Sequence, residues 1–152
     1  MKGTKVRNAR KLIKESPTII TRNTSLKELV LAFGDDPTTR SLYVINSEGI
    51  YEGIITLNDL VRVVFFYHLK TEKGPSLKTY LSLIATKAHE IMSNEAVFAK
   101  DDEDLDTVLN RMFENEIQEI PIVDDRMKII GEINLLELLI AWLEKSIVRG
   151  EE

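Results

Sequence analysis

A threonine and an aspartate three residues apart, Thr56 and Asp59, stand where the apolar run Gly53-Ile54-Ile55 gives way to the helical stretch that begins at Leu57. One helical turn separates the two side chains, so hydroxyl and carboxylate face one opening beside the N–H groups of the first turn. There the hydroxyl and the N–H groups can receive phosphate oxygens, and the carboxylate can accept from the two hydroxyls of a ribose. The same pair also reads as a plain cap, with Thr56 as N-cap and Asp59 in the first turn. The seven residues from Gly53 to Asp59 leave these two readings even. At the matching place in the second half stand Asn134 and Glu137. Asn caps without offering a hydroxyl, and Glu reaches about one methylene further than Asp. This second position is therefore expected to bind weakly, differently or not at all.

Catalytic chemistry has few carriers. Cysteine is absent, which removes disulfides, thiolate metal sites and cysteine nucleophiles. The two imidazoles, His68 and His89, lie on segments that suit helix packing or solvent better than acid–base work. No serine sits in a G-x-S-x-G setting. The acidic run Asp101-Asp102-Glu103-Asp104 lacks the alternation of a calcium loop and reads as the cap of the helix after it. No catalytic residue, metal site or catalytic cofactor is expected, and the chain is not expected to be an enzyme.

Lys and Arg number 20 against 25 Asp and Glu, a formal net charge of -5, so a phosphate backbone would meet repulsion over most of the surface. Nucleic acid is disfavoured as a partner, although a local basic pocket could hold one small anion. No run reaches 18 apolar residues, and the first fifteen are too charged for the apolar heart of a signal peptide. Direct membrane insertion is not expected, and a cytoplasmic address fits. The basic residues Lys2, Lys5, Arg7, Arg10, Lys11 and Lys14 read as a solvated helix face.

The elements that must position Thr56 and Asp59 occur twice. Thr18 to Thr21 reads as an opening strand. Leu26, Leu29, Val30 and Phe33 form a helical stripe, capped by Ser25 with Glu28 three residues on, which the breaker cluster from Gly34 to Pro37 ends. Leu42 to Ile45 and Tyr51 to Ile55 read as strands around the turn Asn46 to Gly49, and an apolar helix runs from Leu57 to Phe66. The order returns with Ala96 to Ala99, the stripe Leu105, Val108, Leu109 and Met112, strands at Ile120 to Val123 and Ile129 to Ile133, and a helix from Leu135 to Leu143. Leu12 pairs with Ile91 and Leu26 with Leu105 at an offset of 79, and Val44 with Ile122 and Gly53 with Gly131 at 78. One residue has changed near the Gly34 to Thr38 loop, where such a change costs little.

A lone unit of roughly fifty residues would be marginal, so two βαββα units sharing a core across a pseudo-twofold axis are expected, packed sheet to sheet in an α+β fold. The units are placed at residues 1–67, with an N-terminal lead-in helix, and 88–152, with a C-terminal helix. Residues 68–87 form a linker that carries Gly74, Pro75 and a packed helical stripe at Leu77, Tyr80, Leu81 and Ile84. The two closing helices are apolar on nearly all sides, from Val61 to Tyr67 and from Leu135 to Leu143. A second copy covers both most simply, so a homodimer through these helices is expected.

The stretch Gly53-Ile54-Ile55-Thr56-Leu57-Asn58-Asp59, with Ile120-Pro121-Ile122-Val123-Asp124 in the other half and the lead-in Ala88-His89-Glu90-Ile91-Met92, resembles a tandem of cystathionine β-synthase (CBS) domains, a Bateman module. The resemblance spans nearly the whole chain. It implies a regulatory module that binds AMP, ADP or S-adenosylmethionine in a cleft between the units and passes occupancy to a regulated protein. AMP-like ligands fit better than ATP. By the same resemblance Arg40 stands where phosphate is met by a basic residue, Ser41 replaces a second basic candidate, and Gln118 and Glu119 hold the corresponding places in the second half. Glu119 would oppose a phosphate. Arg40 reads equally as a surface residue near Asp35 and Asp36. The opening strands, at Thr18 and Ile20 and at Val97 and Ala99, either hold a purine through backbone groups with Ile20 or Ala99 against its face, or are core edges. Tyr43 stands where the family usually has Pro, matched by Pro121, and its ring lines or partly fills one cleft. The rival to the sensor is a structural dimerisation or interaction module with vestigial clefts.

Overall fold

The computed structural model describes residues 3–14, 16–69 and 76–150, with the side chains of 67–69 and 145–150 left aside. Gly74, Pro75 and Lys2 lie outside the described residues, as do the side chains of Tyr67 and His68. The chain divides into two compact units. The first comprises residues 18–96, and the second joins residues 1–17 to 97–152.

The first unit opens with β1 (Ile19–Thr21), α2 (Leu26–Asp35), β2 (Ser41–Ile45), β3 (Tyr51–Thr56) and α3 (Leu57–Leu69), and continues through α4 (Leu77–Ile84) and α5 (Ala88–Ile91). The lead-in of the second unit is the short helix α1 (Val6–Ala9), which runs into a 3-10 turn, Arg10–Leu12. The capping box expected before α2 is present: Ser25 Oγ accepts the Glu28 N–H, and the Glu28 carboxylate accepts the Ser25 N–H at 2.8 Å. β1 runs parallel to β2, and β2 pairs antiparallel with β3 with Ser41 opposite Thr56 and Val44 opposite Gly53. Ile20, Leu26, Leu29, Phe33, Leu42, Val44, Ile55, Leu60 and Ala88 form the core, with Leu83, Ile91 and Met92 packed on it.

The second unit has the lead-in, then α6 (Leu105–Glu114), β4 (Glu119–Val123), β5 (Ile129–Asn134) and α7 (Leu135–Gly150). Its sheet has two strands, with Glu119 opposite Asn134 and Ile122 opposite Gly131. The expected opening strand at Ala96 to Ala99 is reduced to one parallel bridge between Ala99 and Ile122. Ala99 donates to Pro121 O at 3.0 Å and accepts from Val123 at 2.9 Å, so the backbone path is kept although the strand is not.

Three features depart from the expectations. The lead-in 1–17 packs with the second repeat and residues 88–96 with the first, whereas the boundaries drawn at 67 and 88 keep each lead-in with the repeat that follows it. Hydrogen bonding explains the exchange. Val6 and Arg7 donate to the carbonyls of Glu103 and Asp101 at 3.0 and 3.1 Å, and Ala88 and His89 donate to those of Thr24 and Arg22, both at 3.0 Å. Leu105 N–H returns a bond to Thr4 O at 2.8 Å, and Leu26 N–H one to Thr86 O at 3.2 Å. Secondly, these pairs match Val6 with Ala88 and Arg7 with His89, an offset of 82 where Leu12 and Ile91 suggest 79. The connection from lead-in to opening strand is three residues longer in the first repeat. Thirdly, the stripe on α4 is exposed, with Leu77 at 74% and Tyr80, Leu81 and Ile84 near half, because Leu83 is the residue that turns to the core.

Candidate functional site

At the end of β3 the side chains of Thr56 and Asp59 bind each other's backbone. Thr56 N–H donates to Asp59 Oδ2 at 2.9 Å, and Asp59 N–H donates to Thr56 Oγ1 at 3.1 Å. The junction is pinned from β2 as well, since Leu57 N–H donates to Arg40 O at 3.1 Å and Ser41 lies opposite Thr56. Arg40, Ser41, Thr56 and Asp59 thus share one corner of the first unit. The Arg40 guanidinium turns back on its own loop, with Nη1 donating to the carbonyls of Pro37 and Thr39.

The remaining candidates of this unit stand behind that corner. Thr18 is half-buried, and its carbonyl accepts from Tyr43 N–H at 3.0 Å. Ile20 belongs to the core at 9% exposure, whereas Ile19 is 44% exposed, so the side chain that strand β1 offers outward is Ile19 and not Ile20. Tyr43 is fully buried, edge-on to Tyr51 with ring centroids 6.3 Å apart, and burial pushes the Tyr51 phenol well above its usual range.

The second unit repeats the junction with different groups. Leu135 N–H donates to Gln118 O at 3.0 Å, the counterpart of the Leu57 to Arg40 bond. Glu137 N–H donates to Asn134 Oδ1 at 3.1 Å, so Asn134 caps α7 as its type suggests. The reciprocal bond is replaced: Glu137 Oε2 accepts from Lys14 N–H at 3.1 Å, and Asn134 Nδ2 donates to Glu119 Oε2 at 2.8 Å. Glu119 and Asn134 are 2% and 3% exposed, a buried carboxylate and a buried amide held together. Val97 is half-buried and Ala99 fully buried, so Ala99, like Ile20, is part of its own unit's core. The link between Glu137 and Lys14, 123 residues apart, carries no local signal that sequence reasoning could have found. The Glu119–Asn134 pair has one, since both positions end adjacent strands of a predicted hairpin.

Among the described residues no group of three or more His, Asp or Glu side chains could hold a metal ion, and no helix is long and apolar enough to cross a membrane. The model of the CBS domain matches the chain twice, over residues 9–65 and 88–144. The chain belongs to the CBS domain family. Its fold is that of a CBS domain pair, as in a CBS domain-containing protein from Thermotoga maritima, which is 33% identical with a TM-score of 0.80 over 95% of this chain and 97% of that one. The CBS domain pair of protein MJ0100, solved with 5′-methylthioadenosine and S-adenosyl-L-methionine, has a TM-score of 0.70 at 21% identity, covering 93% and 98%. CBSX2, solved with AMP, has a TM-score of 0.72 at 17% identity, covering 95% and 99%. At those identities the likeness is one of fold. Inosine-5′-monophosphate dehydrogenase of Methanocaldococcus jannaschii is 25% identical over 114 residues, which are 75% of this chain but 22% of the dehydrogenase. This CBS pair therefore spans about a fifth of the length of that curated relative.

Proposed function

We propose that this CBS pair is a regulatory module that senses an adenine-containing small molecule, AMP-like rather than ATP, and carries no catalysis of its own. The observation that carries the reading is the corner at the start of α3 in a chain of this family. Thr56 and Asp59 frame the helix N-terminus, Ser41 opens the strand beside it, and Arg40 comes just before that strand. Hydroxyls and first-turn N–H groups suit one phosphate group, the Asp59 carboxylate suits a ribose, and a single neighbouring guanidinium is thin support for a triphosphate. Thr18 offers its backbone to a purine, and Ile20 and Tyr43 back that surface from the core. In the second unit Val97, Ala99, Asn134 and Glu137 take the corresponding places. The AMP of CBSX2 and the adenosyl ligands of MJ0100 support an adenine ligand, including S-adenosylmethionine, as the class to try.

Binding regulates only if the ligand prefers one conformation of the chain over another. We place the chain in the cytoplasm as a homodimer through α3 and α7, acting on a further protein. The exposed apolar side chains of these helices, Phe65 and Phe66 on α3 and Leu139 and Trp142 on α7, favour that assembly. Calorimetric titration with AMP, ADP, ATP and S-adenosylmethionine tests the reading, on a sample whose mass is checked by sedimentation equilibrium. Saturable binding that Asp59→Ala weakens at least about tenfold is expected. One observation favours the rival, a structural dimerisation module with vestigial clefts: Thr56 and Asp59 already satisfy each other. No heat and no thermal shift with any of the four would establish it.

A further inference from the structure

We infer that residues 10–14 form a strap closed over the second unit's corner, and that a ligand entering there must lift it. The inference rests on the ligand-binding reading above and concerns the regulation of that site. At the first corner the Asp59 carboxylate is used by its own junction, through the Thr56 N–H. At the second the corresponding carboxylate is used from a distance: Glu137 Oε2 accepts the Lys14 N–H at 3.1 Å.

The strap is unevenly held. Its root is firm, with Val6 and Ala9 buried, Val6 and Arg7 bonded to the carbonyls of Glu103 and Asp101, and Lys5 paired with Asp104. Arg10 fastens the next position, with Nη2 on Asp101 Oδ2 at 2.8 Å and Nη1 on Ile130 O at 3.3 Å. Beyond Arg10 the hold weakens. Lys11, Leu12 and Lys14 are exposed, and the Ile13 N–H is spent on the strap's own Arg10 carbonyl at 3.2 Å. Leu12 lines a cavity of about 100 Å³ with Ala9, Leu105, Leu138 and Trp142, so it gains few close contacts on that side. The bond to Glu137 is what ties down the end.

A ribose diol docks on a carboxylate through both oxygens, and the Lys14 backbone already stands on one of them. Strap and ligand therefore compete for Glu137. The closed strap lowers the apparent affinity of the corner, and by reciprocity a bound ligand loosens the strap. Lys14 lies just ahead of residue 18, where the first unit begins. A lifted strap thus carries occupancy of the second unit into the segment that leads to the first.

Proline lacks the N–H that Glu137 accepts, and Ile13, at φ -94° and ψ 121°, already has the extended backbone that suits a following proline. Lys14→Pro should open the corner and leave the root in place. In the Asp59→Ala background, which weakens the first unit's site, adding Lys14→Pro should tighten calorimetric binding of AMP or S-adenosylmethionine at least about threefold. Amide exchange on the unmodified chain reads the same competition without a substitution. Either probe at saturation should speed exchange of the Lys14 amide at least about threefold, while the Val6 and Arg7 amides keep their protection. Equal or weaker binding by a folded Lys14→Pro chain overturns the inference, and so does a Lys14 amide that is slowed or unmoved. Should Lys14→Pro fail to fold, the exchange result decides alone. These outcomes leave the sensing role in place, whereas no binding of either probe to the unmodified or the Lys14→Pro chain removes both.

Discussion

In the first unit the turn before α2 is closed by a hydroxyl, as Thr24 Oγ1 accepts the Thr21 N–H at 3.2 Å. In the second unit the same turn is closed by a carboxylate: Glu103 Oε2 accepts the Lys100 N–H at 2.8 Å, and Arg111 grips the carboxylate at 2.6 and 3.2 Å. The lead-ins differ in the same sense. Met92 lies against Gly53 in the first unit, and in the second Arg10 lies against Gly131. Arg10 also donates to Asp101 Oδ2 at 2.8 Å, while its Nε contact with Oδ1 is an ion contact whose angle makes no hydrogen bond. Lys5 reaches Asp104 at 2.9 Å. One backbone plan, with matching lead-in hydrogen bonds in each unit, thus has its turn and its conserved glycine met by a hydroxyl and a methionine in one copy and by charged groups in the other, although the first copy keeps an ion pair of its own between Arg22 and Glu52. Duplication conserved the main-chain geometry and let the side-chain chemistry drift, so at this turn charge-sensitive behaviour should be the second unit's.

The sharpest way to break the comparison is at the two glycines. A Cβ on Gly53 would come within 2.7 Å of the Ser93 carbonyl oxygen and 2.8 Å of Met92 Sδ, and the backbone contact cannot yield without moving the lead-in. Gly131 is roomier, since its Cβ would lie 3.4 Å from Arg10 Cδ, an ordinary contact on a flexible side chain. Gly53→Ala is expected to cost about 1–3 kcal/mol, and Gly131→Ala to stay within about 0.5 kcal/mol, read from denaturant midpoints. Equal losses would show that the lead-ins are seated alike.

A gentler probe is acid. The Arg111 guanidinium beside Glu103, with the Lys100 N–H, holds that carboxyl below its usual range. A carboxyl lowered on folding stabilises the protein above its unfolded value of about 4.3, and that contribution is lost as pH falls through the lower folded value. The turn at Lys100 to Glu103 should loosen on acidification, with faster amide exchange there, while the Thr21 to Thr24 bond, closed by a hydroxyl, holds and the first unit responds only through the Glu28 cap, whose carboxyl the Ser25 N–H likewise holds low. Glu103→Gln should remove the difference at a cost of about 1 kcal/mol at neutral pH, allowing for solvent screening. Acid-induced exchange that begins at Thr21 to Thr24 would contradict this.

How much of this was legible in the sequence depends on the range of the interactions. Local signals carried the capping box at Ser25, both hairpins and the apolar helices, because caps, turns and periodicity act over a few residues. The family and the duplication were legible too, since Gly53 and Gly131 kept their spacing. The exchange of lead-ins was not, because it is fixed by hydrogen bonds between residues about a hundred positions apart, such as Val6 with Glu103. The facing of β1 stayed open in the sequence for another reason: Ile19 and Ile20 are the same residue type, and only the register against Tyr43 and Val44 decides which one enters the core. At the candidate site the residue types were legible, but the Lys14 contact of Glu137 was not.

The smallest expected effect lies at the hairpin tips. Asn46 Oδ1 accepts the N–H groups of Glu48 and Ile50, and Asp124 Oδ1 accepts those of Arg126 and Lys128, all at 2.9 or 3.0 Å, so the two turns share one design. The residue that must turn left-handed is Gly49 in the first turn, with φ 79°, and Met127 in the second, with φ 61°. Glycine enters that region without a steric penalty, and methionine does not. Two effects of Met127→Gly oppose each other, relief of the strain in the folded turn and greater freedom of the unfolded chain. The strain exceeds the entropy at such a position, so Met127→Gly should raise stability by about 0.5–1 kcal/mol, and Gly49→Ala should lower it by a similar amount. A thermal melt in which Met127→Gly lowers the midpoint would mean that the Met127 side chain makes contacts worth more than the strain, and that the second tip has diverged in packing as well as in charge.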